Sequence, residues 1–243
     1  MRALLVFVLL AACGCAVPAY SAIIVGYNPA YHTREGIGAG YNWGAVSQQG
    51  RLTMITPLWG ITANHYPASG PQVFPDGTRT IVQSIRVNGF ADLQLQRLNA
   101  PVSSWVGIAD GRAGEYFLLA RDRVALNPLT FTSGDRTFFR FNGMTDEAFL
   151  QSGDSGGPAL FPYAGRLWLL STHLGISGSG QVGSYSIGSD VESYMSQIEA
   201  ITGDVALITD VRHNPEPSAG LLALALALTW FAAANARRRQ LRP

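Results

Sequence analysis

The stretch Gly153-Asp154-Ser155-Gly156-Gly157-Pro158 carries more chemical information than any other part of this 243-residue chain. A serine hydroxyl is a weak nucleophile until a neighbouring base takes its proton, and the attacking oxygen must stand in the open. Glycines on both sides let the backbone bend tightly and keep side chains out of a substrate's way. They also let two amides, those of Gly153 and Ser155, point at one spot and stabilise an oxyanion. Loss of one such donor costs about 3 kcal/mol of transition-state stabilisation.

The complete hexapeptide resembles the nucleophile motif of the chymotrypsin/trypsin family of serine proteases. That resemblance implies a histidine motif and an aspartate motif upstream, in the order His, Asp, Ser. Thr62-Ala63-Asn64-His65, preceded by Trp59-Gly60-Ile61, resembles the first of these. Asp92-Leu93-Gln94-Leu95, followed by Leu98-Asn99-Ala100-Pro101-Val102, resembles the second. Trp168-Leu169-Leu170-Ser171 is similar to the strand lining the family's substrate cleft, and Ser186–Ile198 to its closing strand and C-terminal helix.

The resemblance spans about residues 23–200 and implies an all-β fold of two packed six-stranded antiparallel β-barrels with a C-terminal helix. It implies Ser155 as nucleophile, His65 as general base and then acid, and Asp92 as the group that orients the imidazole. By the same carry-over, Asp154 pairs with a buried positive group. Ser171 accepts a hydrogen bond near the Asp–His pair, and His173 touches a side chain entering the cleft. His32 and His213 lack such context and read as surface residues. Asp76 and Asp110 sit in turn signatures, and Trp59, Trp105, Trp168, Phe138, Phe139 and Phe141 read as core.

Pattern and composition agree with a mostly-β body. Short runs rich in strand-forming residues occur at Leu52–Pro57, Thr80–Val87, Leu93–Leu98, Tyr116–Ala120, Thr137–Phe141 and Leu167–Thr172, separated by turn residues. Val191, Tyr194, Met195 and Ile198 follow a helical spacing, with Asp190 placed as a cap. Apolar residues make up 47% of the chain and charged ones only 14%. Lysine is absent, which excludes chemistry needing a side-chain amine. Both cysteines, Cys13 and Cys15, lie in the first apolar run, so the body has neither disulfides nor a thiolate metal site. No metal or cofactor motif is present. Between Ile23 and His213 the charge is about −3, without a basic cluster, which argues against nucleic acid as a partner.

The two ends read as addresses. Arg2 and the apolar run Ala3–Ala12 have the form of a secretory signal, assigned to residues 1–22, with cleavage sites after Ala16, Ala19 or Ala22. Leu10-Ala11-Ala12-Cys13 also has the form of a lipoprotein signal. At the other end, residues 211–243 hold Pro215-Glu216-Pro217, the apolar run Ala219–Ala234 and Arg237-Arg238-Arg239. This order resembles the PEP-CTERM sorting signal of Gram-negative bacteria, which an exosortase reads and removes. It implies signal peptidase and an exosortase-type enzyme as processing partners, transient membrane contact through residues 219–236, and a cell-envelope or extracellular destination. A plain membrane anchor is the alternative.

The body, residues 23–210, departs from the family in places. His65 and Asp92 are 27 residues apart, and Asp92 and Ser155 are 63 apart, so surface loops are trimmed. Phe149 stands six positions before the nucleophile, where trypsin-type enzymes carry an aspartate, so a pocket for basic side chains is not expected. Ile24-Val25-Gly26 resembles the new N-terminus of activated trypsins, but no basic activation site precedes it. Three readings follow: a serine endopeptidase acting on proteins or peptides, a catalytically silent homologue that binds a surface or matrix, and an esterase using the same triad.

Overall fold

The computed structural model describes residues 21–111 and 114–203. In chain order the strands are β1 (Ile23–Ile24), β2 (Thr53–Met54), β3 (Trp59–Ala63), β4 (Gln72–Phe74), β5 (Gly77–Arg79), β6 (Ile81–Arg86), β7 (Leu93–Leu98) and β8 (Gly107–Ile108). There follow β9 (Glu115–Ala120), β10 (Arg123–Pro128), β11 (Phe131–Ser133), β12 (Arg136–Arg140), β13 (Ala148–Phe149), β14 (Pro158–Tyr163), β15 (Arg166–Ser177) and β16 (Tyr185–Asp190). A 3-10 turn at Glu192–Tyr194 leads into α1 (Met195–Thr202). The fold is all-β with one short helix among the described residues. The signal-like segment 1–20, His213, Pro215-Glu216-Pro217 and the apolar run at 219–236 lie outside those residues.

Two sheets dominate. A four-stranded antiparallel sheet runs β2-β3-β7-β6, and a larger one runs β10-β9-β14-β15-β16-β12-β11, with β8 adding parallel to β15. Both paths are open, so the hydrogen-bonded ladders of the described residues do not close into rings. In the small sheet, β3 is buried along its whole length, and Leu93, Leu95 and Ile61 are inaccessible to solvent. Each such side chain contributes about 1.5–3 kcal/mol by leaving water. A core that includes Ile61, Leu93 and Leu95 continues through Phe117, Leu119, Leu160 and Leu169 of the larger sheet, which fastens the two together.

Local chemistry explains where strands stop. The expected strand Leu52–Pro57 pairs only at Thr53–Met54. The chain then turns, with the amides of Ile55 and Thr56 both donating to the Trp59 carbonyl and Thr56 Oγ1 accepting from the Trp59 amide. Pro57 has no amide to continue a ladder. Between β6 and β7, Asn88 Oδ1 accepts from the amides of Phe90 and Ala91 at 2.8 and 2.7 Å, a side-chain-closed turn.

The helix forms where its spacing placed it, but Val191 rather than Asp190 occupies the cap position of the turn before it. The Asp190 carboxylate reaches forward to the Ser193 hydroxyl at 2.6 Å, and burial raises its pKa. The Tyr194 hydroxyl donates to Asp135; burial first, and that carboxylate second, push its pKa up to about 12.

Packing begins upstream of Ile23. Ser21 and Ala22 are buried, the Ser21 hydroxyl donates to the Ala120 carbonyl at 2.6 Å, and Arg123 donates to the Ala22 carbonyl. The folded body therefore starts no later than Ser21. Two other expectations change. His32 is buried rather than exposed, with Nε2 3.1 Å from Asp146 Oδ1 and Nδ1 against the Asn28 backbone, because Tyr27 and Tyr31 cover its ring. Trp105 is 51% exposed and not part of the core.

Candidate active site

The β3–β7 ladder pairs Ala63 with Leu93. His65 lies two residues beyond the end of β3 and Asp92 one residue before β7, so the sheet itself delivers the imidazole to the carboxylate. Asp92 Oδ1 accepts from the His65 amide at 2.8 Å, while Oδ2 lies 2.6 Å from Nδ1 of the same residue. One carboxylate thus fixes both the backbone and the ring of His65. The short Nδ1 contact holds the proton on Nδ1 and leaves Nε2 as an acceptor. Nε2 lies 2.9 Å from Ser155 Oγ, which completes an Asp–His–Ser relay across a sequence separation of 90 residues.

Ser155 sits in the turn entering β14. The Gly156 amide donates to the His173 carbonyl at 3.0 Å, and the His173 amide donates to the Gly157 carbonyl at 2.7 Å. These bonds lash the turn to the middle of β15. Gly156 has φ +85°, and a side chain there would meet Thr62 Oγ1 at 2.6 Å, so only glycine fits between the turn and β3. Gly153 has φ +97°. Among the described residues the Gly153 and Ser155 amides donate no hydrogen bond. Two unspent donors flanking a base-linked hydroxyl are what an oxyanion requires.

Asp154 is buried beneath this turn, its Oδ2 accepting from the Gln151 amide at 2.7 Å. Burial raises its pKa to about 6, opposed by that amide, by the nearby Ala22 backbone, and by the charges of Arg121 and Arg123. Among the described residues, the buried positive partner expected for Asp154 does not form an ion pair with it: Oδ1 has no hydrogen-bond partner, and Arg121, in the β9–β10 turn, and Arg123, at the start of β10, act on the carboxylate only through their charge.

His173 is buried with Nε2 3.1 Å from the Leu119 carbonyl, so that nitrogen carries the proton. Burial drives its pKa down to about 3, and the ring stays neutral. It nevertheless lines the pocket beside Ser155, of about 240 Å³, together with Leu150, Gln151, Leu174, Gly175 and Ile176. Phe149 is not in that wall. It is buried, paired with Ile23 and packed near Phe141, and Leu150 lines the pocket beside Ser155.

Ser171 departs from its expected role. Its hydroxyl accepts from Thr137 Oγ1 at 2.9 Å, between β15 and β12, and is fully buried there. The register of β15 explains this: Ser171 pairs with Ala159 and Asp190, and the backbone that closes on the Ser155 turn belongs to His173, two residues later. Asp76 is structural, bonding the Ser103 amide and Arg79.

Sequence reading missed Arg51 and Arg121. Arg51 Nη2 donates to the Gly153 carbonyl at 3.3 Å, and its guanidinium lies 4.2 Å from the Tyr66 ring centroid. Arg121, at φ +58°, brings its guanidinium against Gly153. Neither belongs to a motif, and only the fold brings them to the turn. Among the described residues no three His, Cys, Asp or Glu side chains gather where a metal ion would bind. Compared with known proteins, the chain matches no family model and no curated sequence.

Proposed function

We propose that this protein is a serine endopeptidase of the chymotrypsin/trypsin type, whose two sheets are the counterparts of that family's two barrels. The observation that carries the reading is the continuous relay Asp92–His65–Ser155 beside two unspent amides. Ser155 Oγ attacks a peptide carbonyl while its proton passes to His65 Nε2. Asp92 stabilises the resulting imidazolium without taking its proton. The carbonyl oxygen gains negative charge and is met by the Gly153 and Ser155 amides. As the tetrahedral intermediate collapses, the C–N bond breaks and the leaving nitrogen takes the proton from Nε2. An ester to Ser155 remains. Water then gives its proton to His65, attacks that ester and releases the carboxylate product, and Ser155 recovers its proton.

The pocket beside Ser155 offers Leu150, Leu174 and Ile176 to a medium-sized apolar side chain on the acyl side. A surface-binding homologue would have no use for a base held this closely to a hydroxyl. Export through the N-terminal signal, and sorting through Pro215-Glu216-Pro217 by an exosortase-type enzyme to a Gram-negative cell envelope, complete the proposal on the sequence pattern of the two ends.

The test is a panel of fluorogenic peptides beside simple esters of the same acyl groups. Cleavage of peptides ending in Leu, Val or Phe, lost in Ser155→Ala, supports an endopeptidase. Turnover of the esters alone would make it an acyl hydrolase, and turnover of neither would contradict an active enzyme.

A further inference from the structure

The Asp92–His65–Ser155 relay and the two unspent amides stand complete in a chain that is uncut between Ser21 and Gly26. What lies under the Ser155 turn accounts for that. Asp154 is buried there, and the stretch of N-terminal backbone that reaches its carboxylate is Ala22. Ile23 and Ile24 are committed to β13, opposite Phe149 and Ala148, and the Val25 amide donates to the Glu147 carbonyl at 3.0 Å. An amine freed at Ile24 would begin two residues beyond the Asp154 contact and would have to leave its ladder to reach it.

Ala22 is held from three sides. The Ser21 hydroxyl donates to the Ala120 carbonyl at 2.6 Å, and Arg123 Nη1 donates to the Ala22 carbonyl at 3.3 Å. The Ala22 side chain packs in a buried cluster with Ile24, Ala120, Ala148 and Leu150, and Leu150 also lines the pocket beside Ser155. Arg123 is fixed in turn, its guanidinium 4.3 Å from the Tyr27 ring centroid. A buried carboxylate is tolerated only with compensating hydrogen bonds or charge. The Gln151 amide, the Ala22 backbone and the charges of Arg121 and Arg123 provide it here without an ammonium group.

We infer that Ser21 and Ala22 form a permanent strap under the Ser155 turn, with Arg123 as its positioning residue. The protein is therefore competent as it folds, and no cut that frees an amine at Ile23 or Ile24 is needed. Signal removal then ends before Ser21, after Ala16 or Ala19 and not after Ala22. The effect on rate rests on Ser155 being the nucleophile; the packing of the strap does not.

The experiment keeps the two apart. The chain has no lysine, so the α-amine is the one amine an acetylating reagent can modify. The exported protein is measured intact by mass spectrometry, and its fluorophosphonate labelling rate is taken before and after acetylation. Arg123→Gln, Arg123→Lys and a form lacking Ser21 and Ala22 are labelled alongside, with a thermal melt of each. The strap predicts a first residue at or before Ser21 and the same labelling rate after acetylation. Arg123→Gln should stay folded and label about 10²-fold more slowly, the cost of one displaced oxyanion donor, with Arg123→Lys recovering most of the rate. A first residue at Ile23 or Ile24, labelling lost on acetylation, or Arg123→Gln labelling as fast as the wild type overturns the inference. If no folded form is labelled, the endopeptidase reading fails and the melts decide the strap. A lower melting temperature without Ser21 and Ala22 then upholds it, and an equal one overturns it.

Discussion

The two halves of the Asp92–His65–Ser155 relay are built by different means. His65 and Asp92 are set by one antiparallel ladder, Ala63 against Leu93, and by a carboxylate that grips backbone and ring together. Ser155 stands on an irregular turn held by backbone bonds to His173 and by Arg51, over a buried Asp154 flanked by Ala22, Arg121 and Arg123. His65 therefore inherits its precision from a short stretch of regular sheet. Ser155 depends on four separate stretches of chain arriving together.

The largest way to break that contrast is Asp92→Asn. The ladder persists, since it does not use the side chain, but the imidazole loses its tautomer. Hydrolysis of the best peptide should fall by about 10⁴-fold in kcat, with little change in thermal stability. A large fall in melting temperature would show that Asp92 is structural instead.

The contrast also states how far the sequence could be read. His65, Asp92 and Ser155 were legible because each sits in a local motif at the end of a strand. The strands at Leu93–Leu98 and Tyr116–Ala120 were legible from their side-chain pattern, the second beginning one residue earlier, at Glu115. The pairing of ladders was not: β14 also pairs with β9, and the Thr137 hydroxyl that occupies Ser171 comes from β12, 34 residues before it. His32 looked like a surface residue because nothing in sequence shows Asp146 arriving 114 residues later. Arg51 and Arg121 carry no local signature at all.

The nucleophile side can be sharpened by pH. The folded pKa of His173, about 3, lies below its ordinary 6.5, so between those values the unfolded chain binds the extra proton. Its contribution is full above about pH 6.5 and is lost as pH falls towards 3, a change on the order of 4 kcal/mol. Asp154 works with opposite sign: its folded pKa of about 6 lies above the ordinary 3.8, so its burial costs least below pH 4 and most above pH 6. Denaturant titrations from pH 4 to pH 7 should show a shallower acid decline in His173→Gln and, by a smaller margin, a steeper one in Asp154→Asn. Parallel profiles for all three proteins would mean that neither group is buried as described.

The most direct test of the central claim is the rate at which a fluorophosphonate labels the wild-type protein, Ser155→Ala and His65→Ala. The relay predicts rapid labelling of the wild type, none of Ser155→Ala, and near-complete loss in His65→Ala. A folded wild type that stays unlabelled, or a His65→Ala protein that labels as fast as the wild type, would contradict it.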